Sequence, residues 1–299
     1  MRRPYIDFMG KRYLMFAISA VVLVVAIGAL LFRGVNLGID FKGGTVVTLA
    51  NVQGATVADA RAAAGKAGIV DAQIQSTQTG FIIRSAETST TLAEAQAAAL
   101  GTALKVGSTD TQVSTIGPEW GSNITNAALL ALSVSILAIL AYVSIRFEYK
   151  MAVTGVVALA HDVIITLGLY ALLGRELTPN TVAALLTIMG YSLYDTIVVF
   201  HRIRENTQNL SKKTFMDMAN DSLNQVLARW INTGLASLIP VLCLLLIGGQ
   251  VLNDFAFALT IGLVSGAYSS IAVASPLYAM WKETEPRYQA LRKRFARAS

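Results

Sequence analysis

Charge is scarce in this sequence. Asp, Glu, Lys and Arg make up 14% of its 299 residues, where soluble domains carry about 25%. With 54% hydrophobic residues, that balance argues against an ordinary water-soluble domain. Cysteine is scarcer still: Cys243 stands alone in an apolar run, so no disulfide can close within the chain and no CxxC metal site exists. The two histidines, His161 and His201, are too few and too far apart for the usual zinc patterns, and they exclude an HExxH metalloprotease. The net charge of +6 would suit nucleic acid, but the cations gather at the ends of apolar runs, so no nucleic-acid partner is expected.

Long apolar runs are what the chain has instead. Residues 13–32 form an uncharged stretch of 20, about 30 Å of helix and enough to cross a bilayer core. It follows a basic segment, as a signal peptide does, but it is too long for an h-region and no A-x-A-like site follows; a retained first span is expected. Further runs lie near 125–145, 151–173, 181–201, 230–248 and 254–281. Lys and Arg concentrate in the N-terminus, the 146–150 loop, the 202–213 segment and the tail from residue 282, while the intervening short loops hold only Arg175. With six spans all these basic segments share one side, which the positive-inside rule makes cytoplasmic, with both termini there. They also offer a contact to anionic membrane lipids.

The expected organisation is a cytoplasmic N-terminus (1–12), a first transmembrane helix (13–33), an extracytoplasmic α/β domain (34–120), transmembrane helices two to six (121–281) with a cytoplasmic interfacial segment at 202–226, and a cytoplasmic basic tail (282–299). In the extracytoplasmic part, GTVVTLA (44–50) reads as a strand and 56–68 as a helix. DAQIQST and GFIIRS pair as a hairpin near Gly80, 91–107 reads as a second helix, and DTQVSTI as a last strand. The order is βαββαβ, a ferredoxin-like arrangement, with no nucleotide fingerprint or catalytic constellation. The fold class is thus an α-helical polytopic membrane protein of six transmembrane helices with a small α/β domain.

Polar residues inside the spans are the functional candidates. Asp195 lies six residues before His201, roughly 9 Å from the basic end of its span and too short to reach out. A carboxylate at a span centre costs roughly 2.5 to 3.5 kcal/mol. A structural hydrogen bond is one reading, a proton-carrying group the other. His161 and Asp162 sit near the centre of the third span. Neighbours on a helix point about 100° apart, so the two are expected on different seams. Arg229 edges the fifth span at a depth close to Asp195. An arginine favours the ionised carboxylate and burial the neutral one, opposed effects that suit a group gaining and losing a proton. Asn232, Thr233, Gly234 and Ser237 continue a small polar face, and Pro240 allows a kink. Asn253 and Asp254 are expected to cap the sixth span, whose Gly262 and Gly266 form a GxxxG.

GIDFKGG (38–44), GYSLYDTIVVFHRIREN (190–206), INTGLASLIP (231–240) and NDFAFALTIGLVSGAYSSI (253–271) together resemble the SecF branch of the SecD/SecF family, within the RND superfamily of proton-driven transporters. The motif residues are Gly38, Asp40, Gly43, Gly44, Gly190, Asp254, Gly262 and Gly266. The resemblance implies an RND-type half in a bacterial plasma membrane that works with SecD, beside the SecYEG channel and YajC, on a preprotein emerging at the outer side. It implies use of the proton-motive force late in translocation, with protons as coupling ion and no cofactor, and it places Asp195 and Arg229 on the proton pathway. His161 and Asp162 fall in the family's AxxHD-type segment. The family commonly has Asn or another small polar residue at Tyr194 and Asp at His201. An alternative is a structural partner of SecD that carries no protons. An intramembrane aspartyl protease would need GxGD, which ALAHD around Asp162 lacks. A small-molecule exporter would need larger external domains and more spans.

Overall fold

The computed structural model describes residues 5–296 except Gln53, Asp71, Gln78 and Asn209. Arg2, Arg3 and Arg297 of the basic flanks, and the first residue of the expected strand DAQIQST, therefore lie outside the described residues. Two units divide the chain: Leu37–Leu130, and Met1–Asn36 together with Ala131–Ser299.

Helix α1 (Arg12–Arg33) is the first apolar run. The α/β unit begins with a single helical turn, Ile39–Lys42. It continues through β1 (Gly44–Leu49), α2 (Val57–Lys66), β2 (Gln73–Ser76), β3 (Phe81–Ser85), α3 (Thr90–Leu104) and β4 (Thr111–Ile116). The sheet order is β2-β3-β1-β4 with every pair antiparallel, which read from the other edge is the 4-1-3-2 order of a ferredoxin-like sheet. Alternation along β1 and β3 buries Val47, Leu49, Phe81 and Ile83 against Ala60, Ala63, Ala64 and Ala97 of the two helices. Small residues on those helix faces let them lie close to the sheet. Thr56 caps α2: its amide donates to Asp59 Oδ2 at 2.8 Å, and its hydroxyl and amide hold the Asp59 carboxyl below its ordinary value.

The GIDFKGG stretch makes the entry to the sheet. Gly44 has φ +130°, and a Cβ there would lie 2.5 Å from the Ser85 carbonyl oxygen, so only glycine lets β1 start beside β3. Gly38 and Gly43 flank the helical turn. Burial pushes Asp40 above the usual carboxylate range, opposed by a bond to its own amide. The α/β unit extends past residue 120 because the following helix begins packed on it: a Cβ on Gly121 would lie 2.7 Å from Phe41 O.

That helix is α4 (Pro118–Arg146), followed by α5 (Tyr149–Leu173), α6 (Pro179–Gln208), α7 (Phe215–Ile247) and α8 (Gly249–Ser269). A π-helical turn, Ser270–Ala274, then leads into α9 (Ser275–Glu283), and α10 (Pro286–Ala296) ends the described chain. Among the described residues, six helical segments are long and apolar enough to cross a membrane, the sixth running Leu252–Glu283 through the π-turn. The third, fourth and sixth are the central ones: 50%, 44% and 61% of their apolar windows are buried, against 6% for α4 and 0% for α7.

Two expectations change. The segment 202–226 is not one separate helix between the spans. Instead α6 continues to Gln208, Thr214 caps α7, and Phe215, Met218 and Leu223 are buried against Phe200, Ile203, Tyr278 and Tyr288. Its apolar residues thus close a protein core. Asn253 and Asp254 are not caps, since α8 begins at Gly249. Instead both accept from Arg175 Nη1, at 2.8 Å each, and the Asp254 carbonyl accepts from the Tyr170 hydroxyl. Helix α7 runs on through Pro240 to Ile247.

Candidate functional site: two carboxylates among the central helices

Asp162 on α5 is fully buried. Its Oδ2 accepts from Ser192 Oγ of α6 at 2.6 Å and from Ser269 Oγ of α8 at 2.8 Å. Its Oδ1 accepts from Ser265 Oγ at 2.6 Å, and His161 Nδ1 lies 3.0 Å from the same oxygen. A carboxylate offers about four acceptor sites, and here four contacts meet them. His161 and Asp162 therefore do not part onto separate seams: the Asp162 carboxylate is the meeting point of three helices, and the imidazole bends toward it. The other face of the imidazole stacks on Tyr268, 6.4 Å between centroids, and Tyr268 in turn donates to the Met15 carbonyl of α1 at 2.7 Å. His161 Nε2 is buried and has no hydrogen-bond partner among the described residues.

Close helix packing makes the cluster possible. Gly262 lies against Ile188, and a Cβ on Gly266 would sit 2.8 Å from Ser192 Cβ, so the glycines expected to allow approach bring α8 onto α6. The π-turn continues the polar seam. Ser270 Oγ is 2.9 Å from Thr196 Oγ1, and Ser275 Oγ donates to the Ser270 carbonyl at 2.6 Å. Such turns inside long helices are frequent at functional positions.

Asp195, one turn along α6, is half-buried. It lines a cavity of about 200 Å³ with Tyr191, Thr233, Ser237, Gly262 and Gly266. A smaller hollow beside it is lined by Asp195, Val226, Arg229 and Trp230, and Tyr194 and Thr233 border both. Arg229 and Asp195 thus share a hollow, as their depths suggested, but among the described residues no ion pair or hydrogen bond joins their side chains. Trp230, on the same hollow, has its Nε1 buried without a partner among the described residues. Gly190 has nothing near the position of a Cβ. His201 is exposed, 3.9 Å from Glu205.

Both carboxylates stand out in the sequence, whereas Ser192, Ser265 and Ser269 were not among its candidates. The signal was present: Ser265 and Ser269 stand one helical turn apart in an apolar span, so both face one neighbour.

Residues 94–284 match the family described as "Protein export membrane protein SecD/SecF, C-terminal", and residues 28–50 match the "SecD/SecF GG Motif". The chain belongs to the SecD/SecF family. Among its SecF relatives, the protein translocase subunit SecF of Streptomyces coelicolor is 42% identical over 96% of this chain and 80% of its own length. That of Calditerrivibrio nitroreducens is 40% identical, over 94% and 96% respectively. A crystal structure of SecDF, a translocon-associated membrane protein from Thermus thermophilus, superposes with a TM-score of 0.87 at 37% identity, covering 94% of this chain and 39% of that one. A crystal structure of SecDF in a super-membrane-facing form superposes less closely, with a TM-score of 0.70. This chain is a multi-pass membrane subunit of the Sec protein-export machinery, a transport component rather than an enzyme.

Proposed function

We propose that this SecF subunit, paired with SecD, moves protons through its helix bundle and uses that movement in the late stages of preprotein translocation. The observation that carries the reading is Asp195: a half-buried intramembrane carboxylate on a cavity, met by no donor among the described residues. Intramembrane ionisable groups are costly and mark ion or proton routes. A carboxylate held by hydrogen bonds is committed to its place; Asp195 is free to change protonation and partner. Arg229 borders the adjoining hollow and serves as the cation that the ionised carboxylate turns toward. Protonation removes that attraction and lets α6 and α7 shift, which gives the two packings a coupling device needs. One charge crossing 100 mV supplies about 2.3 kcal/mol per proton.

His161 joins the same route through its Nε2, which has no partner among the described residues, while Asp162, held by its serines, keeps the imidazole in place. The basic flanks favour an orientation with both termini in the cytoplasm of a bacterial cell, which leaves the α/β unit outside, where a preprotein emerges. SecD is the partner that the fused SecDF of Thermus thermophilus supports, since this chain matches 40% of it. The SecYEG channel and YajC complete the expected assembly, and no nucleic acid or cofactor is expected.

The test is export and proton conduction in membranes containing Asp195→Asn at matched protein level. Both fall to background under this reading; normal conduction and export would remove Asp195 from the route.

A further inference from the structure

At the end of the bundle that carries the basic flanks, a cleft of about 510 Å³ opens between the end of α4, the end of α6, and the α9–α10 corner. Four cations line it, Arg146, Arg204, Lys282 and Arg287, against one carboxylate, Glu148. Glu148 is already taken, by Lys282 and by the Tyr278 hydroxyl at 3.1 Å. Lys282 is also spent, bridging Glu148 and Glu285. The three arginines remain. Among the described residues none meets a carboxylate. Arg204 Nη1 donates to the Arg146 carbonyl at 3.0 Å, and Arg287 lies 5.6 Å from the Tyr288 ring. Three arginines on one cleft, with no carboxylate partner among the described residues, offer a site for an anion, and their planar forks suit phosphate oxygens.

The apolar rim says which phosphate. Ile145 lines the cleft and is 86% exposed. Tyr149 and Trp281, both exposed, meet edge to face at 5.8 Å at the same end of the spans. Aromatic pairs of this kind sit at the level of lipid headgroups. A free phosphate has no use for that flank, whereas a phospholipid places its acyl chains there. We propose that this cleft binds the phosphodiester headgroup of an anionic phospholipid, with Arg146 and Arg287 as its principal contacts. Which leaflet supplies the lipid rests on the orientation proposed above; binding itself does not, and it is read separately from proton coupling.

The experiment is native mass spectrometry of the full chain in mild detergent with equimolar phosphatidylglycerol and phosphatidylethanolamine. The wild type is expected to retain phosphatidylglycerol preferentially. Arg146→Gln with Arg287→Gln is expected to lose about tenfold of that retention, since each cation near the membrane surface contributes a several-fold factor. Lys212→Gln with Lys293→Gln, an equal loss of charge outside the cleft, is expected to keep it. Equal decline in the two pairs would mean diffuse attraction and overturn the site. So would retention of both lipids alike, or displacement of phosphatidylglycerol by millimolar glycerol phosphate, which would make the ligand a soluble phosphate. If circular dichroism shows the glutamine pair unfolded, Arg146→Lys with Arg287→Lys keeps the charge and removes the forks. About threefold weaker retention is then expected, and unchanged retention overturns the proposal.

Discussion

Asp162 accepts three serine hydroxyls, faces a histidine ring and has no exposed surface. Asp195, on the next helix, opens on a cavity and is met by no donor among the described residues. The same side chain thus sits in one bundle in two conditions. A buried charge is tolerated when its acceptor sites are filled, and removing the partners of such a group is what destabilises. The first carboxylate therefore ties α5, α6 and α8 together. The second does little for packing, and its presence has to be explained by what it does. Burial of an ionisable group inside a membrane is therefore not by itself a functional signal; the count of its donors is.

The comparison breaks most sharply at Asp195. Asp195→Asn is expected to fold and assemble normally while proton conduction falls to background, measured in inverted membrane vesicles. A strongly destabilised protein would place Asp195 with Asp162 instead. Asp162→Ala should do the reverse. It leaves three buried hydroxyls and His161 without their acceptor and is expected to cost about 3 kcal/mol, read as a lowered unfolding midpoint in detergent. If stability is unchanged, the serine cluster is not a clamp.

Gly266→Ala tests the packing that assembles the clamp. Its Cβ would lie 2.8 Å from Ser192 Cβ, between two helices that have little room to part. A loss of about 1–3 kcal/mol is expected for such overpacking, with the same assay. Ser265→Ala removes one of the donors to Asp162 and leaves two hydroxyls and the histidine; about 1 kcal/mol is expected. The smallest effect belongs to a carboxylate outside the spans. Burial would raise Glu285, but hydrogen bonds from Lys150 at 2.8 Å and from Lys282 hold it below its ordinary value of 4.5. Because the folded-state value is the lower one, this stabilisation is present above pH 4.5 and is lost as pH falls through the folded value. Glu285→Gln should flatten the acid limb of the stability profile and cost under about 1 kcal/mol at neutral pH. An unaltered acid limb would show that the pair is too exposed to count.

Much of this was readable in advance. The spans and the βαββαβ order follow from local patterns: run length in the spans, and strand and helix patterning between residues 44 and 116. Gly262 and Gly266 marked the close approach that α8 makes to α6. Other features were not readable. The 202–226 segment has the spacing of a surface helix, and spacing cannot say whether Phe215 and Met218 meet lipid or Tyr278 and Tyr288. Asn253 and Asp254 look like caps because Asn and Asp so often are. Their place inside α8 depends on Arg175, more than seventy residues away. Asp195 and Arg229 were expected to pair from depth alone, and depth does not determine side-chain reach.

The chain alone marks the segments long and apolar enough to cross a membrane, the small α/β unit that interrupts them and the two carboxylates within the spans. These depend on hydrophobicity and periodicity over a few tens of residues, which neighbours along the chain decide. Only the tertiary structure decided which carboxylate is satisfied. The donors to Asp162 come from residues 30, 103 and 107 positions away, and the glycine contacts that bring them within reach lie between helices. A hydrogen bond of 2.6 Å depends on the packing distance of three helices at once, and no local pattern in the chain encodes that distance.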